Sequence, residues 1–261
     1  MIIGIEVGGT FTDLVMANVD GSLTVHKLPS TPSDPSVAAV EGLKALLKTT
    51  NSEARDVSEL LHGSTIAANA LIQRRGASTV LLTTRGFRDV LFIQRQDKST
   101  VYDMFYNKPE PLLTRDRIYE VEERLGADGN VVESLNEAVA SKLIDRVVHE
   151  HMPKAIAICL LHAYANPVHE QQLAAIIASQ YPDIRVSLSS EIAPQHREYE
   201  RTSTTVINAY IKPVVARYIS NLEKRLAGMG LNAPITVMQS SGGTVRTDFV
   251  KERPVYAIES G

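Results

Sequence analysis

The sequence predicts an α/β fold, a mixed sheet flanked by helices with an additional α/β subdomain. Three features carry this prediction. The first fifty or so residues read as three strands and a helix, strand and helix patterns alternate from about residue 130 onward, and a proline-punctuated stretch separates the two regimes.

Taken in order, 2–7 and 14–19 read as strands, and the Asp20-Gly21 pair that follows is a hairpin signal before a third strand at 23–28. In SDPSVAAVEGLKALLK, Asp34 is placed to cap a helix with Pro35 at its first position, and Val37, Val40, Leu43 and Leu47 share one stripe. TIAANALIQRRG reads as a short helix closed by Gly76, STVLLTT as a strand and GFRDVLFI as a further short helix. After Asn107 comes KPEPLL, where a lobe boundary or insertion is expected, and IYEVEERL with the VV beyond the turn at 126–130 reads as a second hairpin. Ser134 and Glu137 form a capping box for LNEAVASKLIDRVV, AIAICLL is a buried strand, Asn166-Pro167 opens the next helix, and IRVSLS is the next strand. Such alternation predicts a largely parallel sheet. A long helical region over 198–226, kinked near Pro213, then leads to a strand at ITVMQSS.

Composition narrows the function. With 27 basic and 30 acidic side chains the net charge is −3, so nothing in the balance calls for nucleic acid or an anionic membrane, and small-molecule chemistry is the expectation. The apolar stretch 155–165 is far short of the roughly 20 residues that span a bilayer. Cys159, the single cysteine, sits in AIAICLL as a core residue and has no internal disulfide partner, and MIIGIEV lacks the basic start of a secretory signal, so the cytoplasm is expected. None of the histidines shows HExxH or Cys/His ligand spacing, and no transition-metal site is expected.

The chemistry concentrates in GIEVGGTFTDLV. Gly8 and Gly9 fall where the first strand reverses into the second; glycine tolerates positive φ there and leaves no Cβ between backbone and ligand. A tight hairpin alone accounts for a Gly-Gly pair. Its neighbours extend the reading: Glu6 and Asp13 offer carboxylates, Thr10 and Thr12 offer hydroxyls, and successive turn amides can converge as an anion nest, which suits a nucleotide phosphate with its magnesium. HGST at 62–65 reads as a loop entering a helix, where Ser64 and Thr65 serve either as anion ligands or as plain caps. Arg85, Arg88, Asp89, Arg95 and Gln96 follow a strand end, as a ligand edge or a solvated face. In REYERTSTTVINAY, Glu198, Arg201 and Thr205 share a helical stripe with Thr202 beside it; local Glu198–Arg201 pairing explains the charges as well as a substrate carboxylate does, while Asn208 is unexpected on an idle face. QSSGG at 239–243 is a ligand loop or a plain turn.

An acid-x-Gly-Gly-Thr turn between the first two strands of a three-strand meander resembles the first phosphate loop of the actin, sugar-kinase and Hsp70 ATPase superfamily, whose actin/ribonuclease H-like lobe has a βββαβα-type mixed sheet. The motifs GIEVGGTFTDLV, HGSTIAANALIQRRGA, LLTTRGFRDVLFIQRQ, REYERTSTTVINAY and VMQSSGG, in that order, resemble the N-terminal part of the hydantoinase A and oxoprolinase family. The resemblance implies an N-terminal region over 1–125 carrying the first phosphate loop, its α/β continuation over 126–190, and the start of a hydantoinase A domain over 191–261. It implies ATP and Mg2+ as cofactors, ATP-dependent opening of a cyclic amide such as oxoproline or a hydantoin, or carboxylation of a ketone, and a hydantoinase B-type subunit or domain as partner in an oligomer. Site residues follow as implied roles: Glu6, Asp13 and Arg95 catalytic; Gly8, Gly9, Thr10, Thr12, Ser64 and Thr65 at the cofactor; Arg88, Arg201, Thr202 and Asn208 at the substrate; Glu6 and Asp13 at the metal. Glu6 stands where the family carries Asp, and its longer arm is expected to misplace a magnesium ion that demands near-ideal octahedral geometry. The chain ends at AIESG, within what resembles the family's SGPAAG turn and ahead of its second phosphate loop. A sugar- or acetate-kinase-like phosphotransferase and a catalytically silent binding or assembly module are the alternatives.

Overall fold

The computed structural model describes residues 1–18, 20–95, 98 and 100–258, so Val19, Gln96 and the Glu259–Gly261 end of AIESG lie outside the described residues. The chain divides into two compact units, Met1–Gly76 with Ile211–Gly261, and Ala77–Tyr210. These breaks fall away from residues 125 and 190, and KPEPLL lies inside the second unit.

In the first unit β1 (Ile2–Val7), β2 (Phe11–Ala17) and β3 (Leu23–Pro29) form an antiparallel meander. β2 begins three residues earlier than its sequence pattern suggests, because Phe11 and Thr12 already pair across the sheet with Pro29 and Leu28. The Asp20-Gly21 hairpin is closed by the Asn18 N–H donating to the Ser22 carbonyl at 3.0 Å. Ile3, Ile5, Val7, Leu14 and Met16 point to one face and are fully or almost fully buried, the period-two pattern of a half-covered sheet. α1 (Pro35–Thr49) packs on the meander, with the Asp34 carboxylate accepting from the Ser36 N–H at 3.2 Å as its cap. β4 (Glu59–Ser64) then runs parallel to β1, and α2 (Ile66–Ile72) follows. α2 is not closed by Gly76: it stops at Ile72, and the left-handed residue is Arg74, at φ 51°.

The second unit carries β5 (Thr79–Thr84), α3 (Val90–Ile93), β6 (Ile118–Val121), β7 (Arg124–Leu125), β8 (Val131–Glu133), α4 (Glu137–His151), β9 (Ala155–Cys159), α5 (Val168–Gln180), β10 (Arg185–Leu188) and α6 (Ser189–Ile192). Its four-stranded sheet, in the order β10-β9-β5-β6, is parallel throughout, as the strand–helix alternation predicts. The second hairpin is shorter than expected. Only β7 and β8 form it, whereas Ile118–Val121 joins the parallel sheet beside β5. The cap of α4 is Asn136 rather than Ser134: its side chain accepts from the Ala138 and Val139 N–H groups at 3.1 and 3.2 Å. Val80, Leu82, Ile156 and Ile158 meet Ile144 and Val147 of α4 and Leu173 and Ile177 of α5. On the opposite face, small Ala155, Ala157 and Cys159 meet Val206 and Ala209 of α7 (Glu198–Gly228), whose first part, to Tyr210, belongs to this unit.

The remainder of α7 belongs to the first unit, runs through Pro213 as one helix, and leads to β11 (Ile235–Met238), β12 (Thr244–Arg246) and α8 (Thr247–Glu252). β11 adds parallel to β4, completing the order β12-β11-β4-β1-β2-β3. QSSGG proves to be the turn joining β11 to β12: the Gln239 N–H donates to the Gly243 carbonyl at 3.0 Å, and Gly242 and Gly243 sit at φ 90° and 80°. No helix among the described residues is long and apolar enough to cross a membrane.

Candidate functional site

β1 and β2 are joined through Gly8, Gly9 and Thr10, with the Gly8 N–H donating to the Phe11 carbonyl at 3.0 Å. Neither glycine has positive φ, so conformational freedom is not what the turn requires here. Space is. A Cβ on Gly8 would stand 3.0 Å from the Phe11 carbonyl oxygen, and one on Gly9 would stand 3.2 Å from the Asn69 amide nitrogen. Ser30, at the end of β3, braces the turn: its N–H donates to the Thr10 carbonyl at 2.9 Å, its hydroxyl donates to the Gly8 carbonyl at 2.7 Å, and it shares a 2.9 Å hydrogen bond with Thr12. Thr12 is fully buried, so its hydroxyl is committed to this frame, whereas Gly9 and Thr10 are exposed.

The turn borders a cleft of about 250 Å³ within the first unit. Ile66, Asn69 and Ala70 of α2 and the capping Gln73 just beyond it, three, four and seven residues from Ile66, line it as one stripe, together with Ser30, Arg75 and an apolar wall that includes Pro32 and Pro35. Asn69 donates to the Thr65 hydroxyl at 3.1 Å, and the Thr65 N–H donates to the Val7 carbonyl at 3.1 Å, which ties the start of α2 to the end of β1.

HGST is not the expected loop. His62, Gly63 and Ser64 are the last residues of β4, where Ser64 pairs with Val7. His62 is fully buried; its Nδ1–H donates to the Ile5 carbonyl at 3.1 Å, which leaves Nε2 to accept from the Tyr218 hydroxyl at 3.0 Å. Burial pushes the imidazole down to about 4. It also pushes the Tyr218 phenol well above its ordinary range, aided by the charges of Glu6 and Asp34.

Glu6 and Asp13 are direct partners across the β1/β2 ladder. Desolvation first, and the Asp13 charge second, hold the half-buried Glu6 carboxyl above its ordinary value. Asp13 is engaged by Lys27, whose ammonium donates to both its carboxylate oxygens at 2.7 and 3.0 Å. No group of three or more His, Cys, Asp or Glu side chains suited to a metal ion occurs among the described residues.

The remaining predicted residues lie in the second unit. Arg85 pairs with Glu122 at 3.2 Å and Glu133 at 3.7 Å, and Asp89 is held by Arg115 at 2.7 and 2.9 Å. Arg95 is bonded to Glu200. Arg88 donates from Nη2 to the Arg115 carbonyl at 2.8 Å, while its buried Nε has no partner among the described residues. The expected Glu198–Arg201 surface pair does not form. Arg201 is 1% exposed, lies 5.4 Å from the Tyr164 ring and donates to the Ser189 hydroxyl at 3.4 Å, and its Nε is also without a partner among the described residues. Thr202 bonds the Cys159 sulfur at 3.2 Å, and with Arg201 these residues line a pocket of about 10 Å³, the size of one water. Asn208 donates to the Ser187 hydroxyl at 3.0 Å, away from that pocket's lining. Two buried networks went unread in the sequence: Glu170, accepting from Ser189, Ser190 and the Leu160 N–H, and the 2.7 Å His169–Glu123 pair. Adjacent His169 and Glu170 on a helix otherwise rich in apolar residues were the available signal.

Models of known families match this chain twice, the hydantoinase/oxoprolinase N-terminal region over residues 2–181 and hydantoinase/oxoprolinase over 201–261. The chain is 37% identical to caprolactamase subunit alpha of Pseudomonas jessenii, covering 99% of this chain and 38% of that one. It is 34% identical to the acetophenone carboxylase gamma subunit of Aromatoleum aromaticum, covering 93% and 35%. The crystal structure of the ATP-dependent caprolactamase from Pseudomonas jessenii superposes on all of this chain with a TM-score of 0.89 at 35% identity, over 38% of its own length. The chain thus spans under two fifths of each of these relatives, and it belongs to the hydantoinase/oxoprolinase family.

Proposed function

We propose that this chain is the nucleotide-phosphate-binding part of an ATP-dependent enzyme that opens a cyclic amide, with an actin/ribonuclease H-like ATPase lobe built on β1–β4, α1 and α2. One observation carries the reading. Two glycines border an open cleft, while Glu6 and Asp13 face each other across the strands that enter and leave the turn. Family membership and the likeness to a caprolactamase subunit support the cyclic amide. The likeness to an acetophenone carboxylase subunit supports a second reading, ATP-dependent carboxylation of a ketone. On this proposal 1–125 carries the phosphate loop, 126–190 continues it and 191–261 begins the hydantoinase A domain. A hydantoinase B-type subunit or domain joins it in a cytoplasmic oligomer.

In the amide reaction the substrate oxygen bonds the terminal phosphorus of ATP, the bridging P–O bond breaks, and ADP leaves with its electron pair. Water then adds to the activated carbon, the C–N bond breaks with nitrogen taking a proton, and a second water hydrolyses the acyl phosphate so formed, which leaves the carboxylate and releases phosphate. Positioning and charge neutralisation do most of this work. The turn amides of Gly9 and Thr10 take phosphate oxygens while the Gly8 N–H closes the turn on Phe11, and Ser64 and Thr65 stand beside Val7 at the same sheet end. Glu6 and Asp13 would supply the one or two carboxylates that a magnesium ion takes beside phosphate oxygens, once Asp13 exchanges Lys27 for the ion; burial, and then the Asp13 charge, raise the Glu6 carboxyl, and its longer arm shifts the ion's placement. Magnesium there would offset phosphate charge. Arg88 and Arg201, whose buried Nε atoms have no partner among the described residues, and Thr202 are assigned to the substrate; Arg95 and Asn208 are held by Glu200 and Ser187.

Titration calorimetry of the chain with magnesium and a non-hydrolysable ATP analogue tests the reading. Micromolar to millimolar binding that Gly9→Val abolishes is expected, and equal affinity in the variant contradicts it.

A further inference from the structure

The cleft beside the glycine turn has a charge that the sequence did not announce. α2 ends at Ile72, and Arg74 adopts the left-handed region, which a side chain enters only when its surroundings hold it there. The Arg75 N–H then donates to the Ala70 carbonyl at 2.9 Å, folding the chain back along α2. This return brings Arg75 to the cleft that Gly8, Gly9 and Asn69 border. Among the described residues lining that cleft, Arg75 alone carries a formal charge. The Arg75 side chain is exposed, and no ion pair engages it among the described residues. By contrast Arg95, which the sequence singled out, is bonded to a carboxylate in the other unit.

We propose that Arg75 is the charge-reading residue of the glycine-turn cleft, donating its guanidinium fork to a phosphate oxygen pair of a nucleoside polyphosphate held on the Gly9 amide. The proposal rests on the phosphate-loop reading above. Three observations favour phosphate. A planar five-donor fork matches phosphate bidentately. Gly8 and Gly9, which line the same cleft, present backbone without Cβ, which lets a bulky tetrahedral group approach. No carboxylate is among the cleft's lining residues to compete for the guanidinium.

The test titrates the 261-residue chain with magnesium tripolyphosphate at low and moderate salt, comparing wild type, Arg75→Ala, Arg75→Lys and Gly9→Val, with thermal melting of each. Arg75→Ala is expected to weaken binding about tenfold and to flatten its salt dependence, with melting unchanged because the side chain is exposed; Arg75→Lys recovers part of the affinity, as a point charge without the fork. If Gly9→Val loses binding while Arg75→Ala keeps wild-type affinity and salt dependence, the role of Arg75 is overturned and the phosphate loop stands. If Gly9→Val binds as wild type does, or wild type does not bind, the phosphate-loop reading falls and takes the proposal with it. A parallel titration with 2-pyrrolidone-5-carboxylate completes the set: loss of that binding in Arg75→Ala, with tripolyphosphate unaffected, overturns the assignment in favour of an organic carboxylate.

Discussion

Two glycine pairs join neighbouring strands of the same sheet, and they are glycine for opposite reasons. Gly242 and Gly243 sit at positive φ with nothing within 4 Å of an added Cβ, so they answer to the backbone. Gly8 and Gly9 have ordinary φ and crowded Cβ positions, so they answer to their surroundings. A turn that needs glycine for its own conformation is explained without a ligand. A turn that needs glycine because other groups stand close is built to bring backbone against something.

Valine scanning of the two turns breaks this comparison most directly. Gly9→Val is expected to cost nucleotide affinity tenfold or more in calorimetry, whereas Gly242→Val is expected to leave affinity intact and to lower stability by about 1–2 kcal/mol through strain at positive φ. Equal effects of the two variants on binding would show that the distinction carries no function. A second measurement concerns what underlies the first turn. The folded His62 value near 4 lies below the unfolded value of 6.5, so the unfolded chain binds more protons between these limits, and the stability His62 confers is present above pH 6.5 and lost as the pH falls toward 4. The full loss is roughly 3 kcal/mol, and urea melts of wild type and His62→Gln across that window should differ in slope. Glu6, raised in the fold, acts with the opposite sign: its contribution is present at low pH and lost as pH rises through its folded value, so Glu6→Gln should steepen the acid-side decline.

Smaller effects sharpen the picture. Ser30→Ala strands the buried Thr12 hydroxyl and removes a donor to the Gly8 carbonyl, which should cost about 1–2 kcal/mol in denaturant melts. Ser30→Thr should recover most of it. Smallest is Gly243→Asn, expected to cost well under 1 kcal/mol because asparagine tolerates the left-handed region, while Gly243→Val costs more.

Much of the local structure was legible because its causes are local. The Asp34 cap, the buried strand Ala155–Cys159 and the parallel order of the second sheet follow from residues close in sequence or from simple alternation. Errors arose where distant partners decide. Arg201 carries the spacing of a surface charge, yet Tyr164 and Ser189 enclose it, and nothing near Arg201 in sequence reports them. HGST looks like a loop until β1 and β11 are known to flank it as strands. In the candidate site the glycines and carboxylates were readable from one motif. Ser30, Asn69 and Arg75 were not, because the end of β3, the stripe of α2 and a left-handed arginine bring them to the turn.

The lone thiol of this chain is enclosed and hydrogen-bonded to Thr202, and burial raises it above its ordinary value, so thiolate is scarce at neutral pH. Thiol-directed reagents therefore meet an almost blank background. A cysteine placed at exposed Thr10 would take a fluorophore or spin label by itself, turning the rim of the glycine turn into a reporter of local motion and ligand arrival without any prior removal of native cysteines.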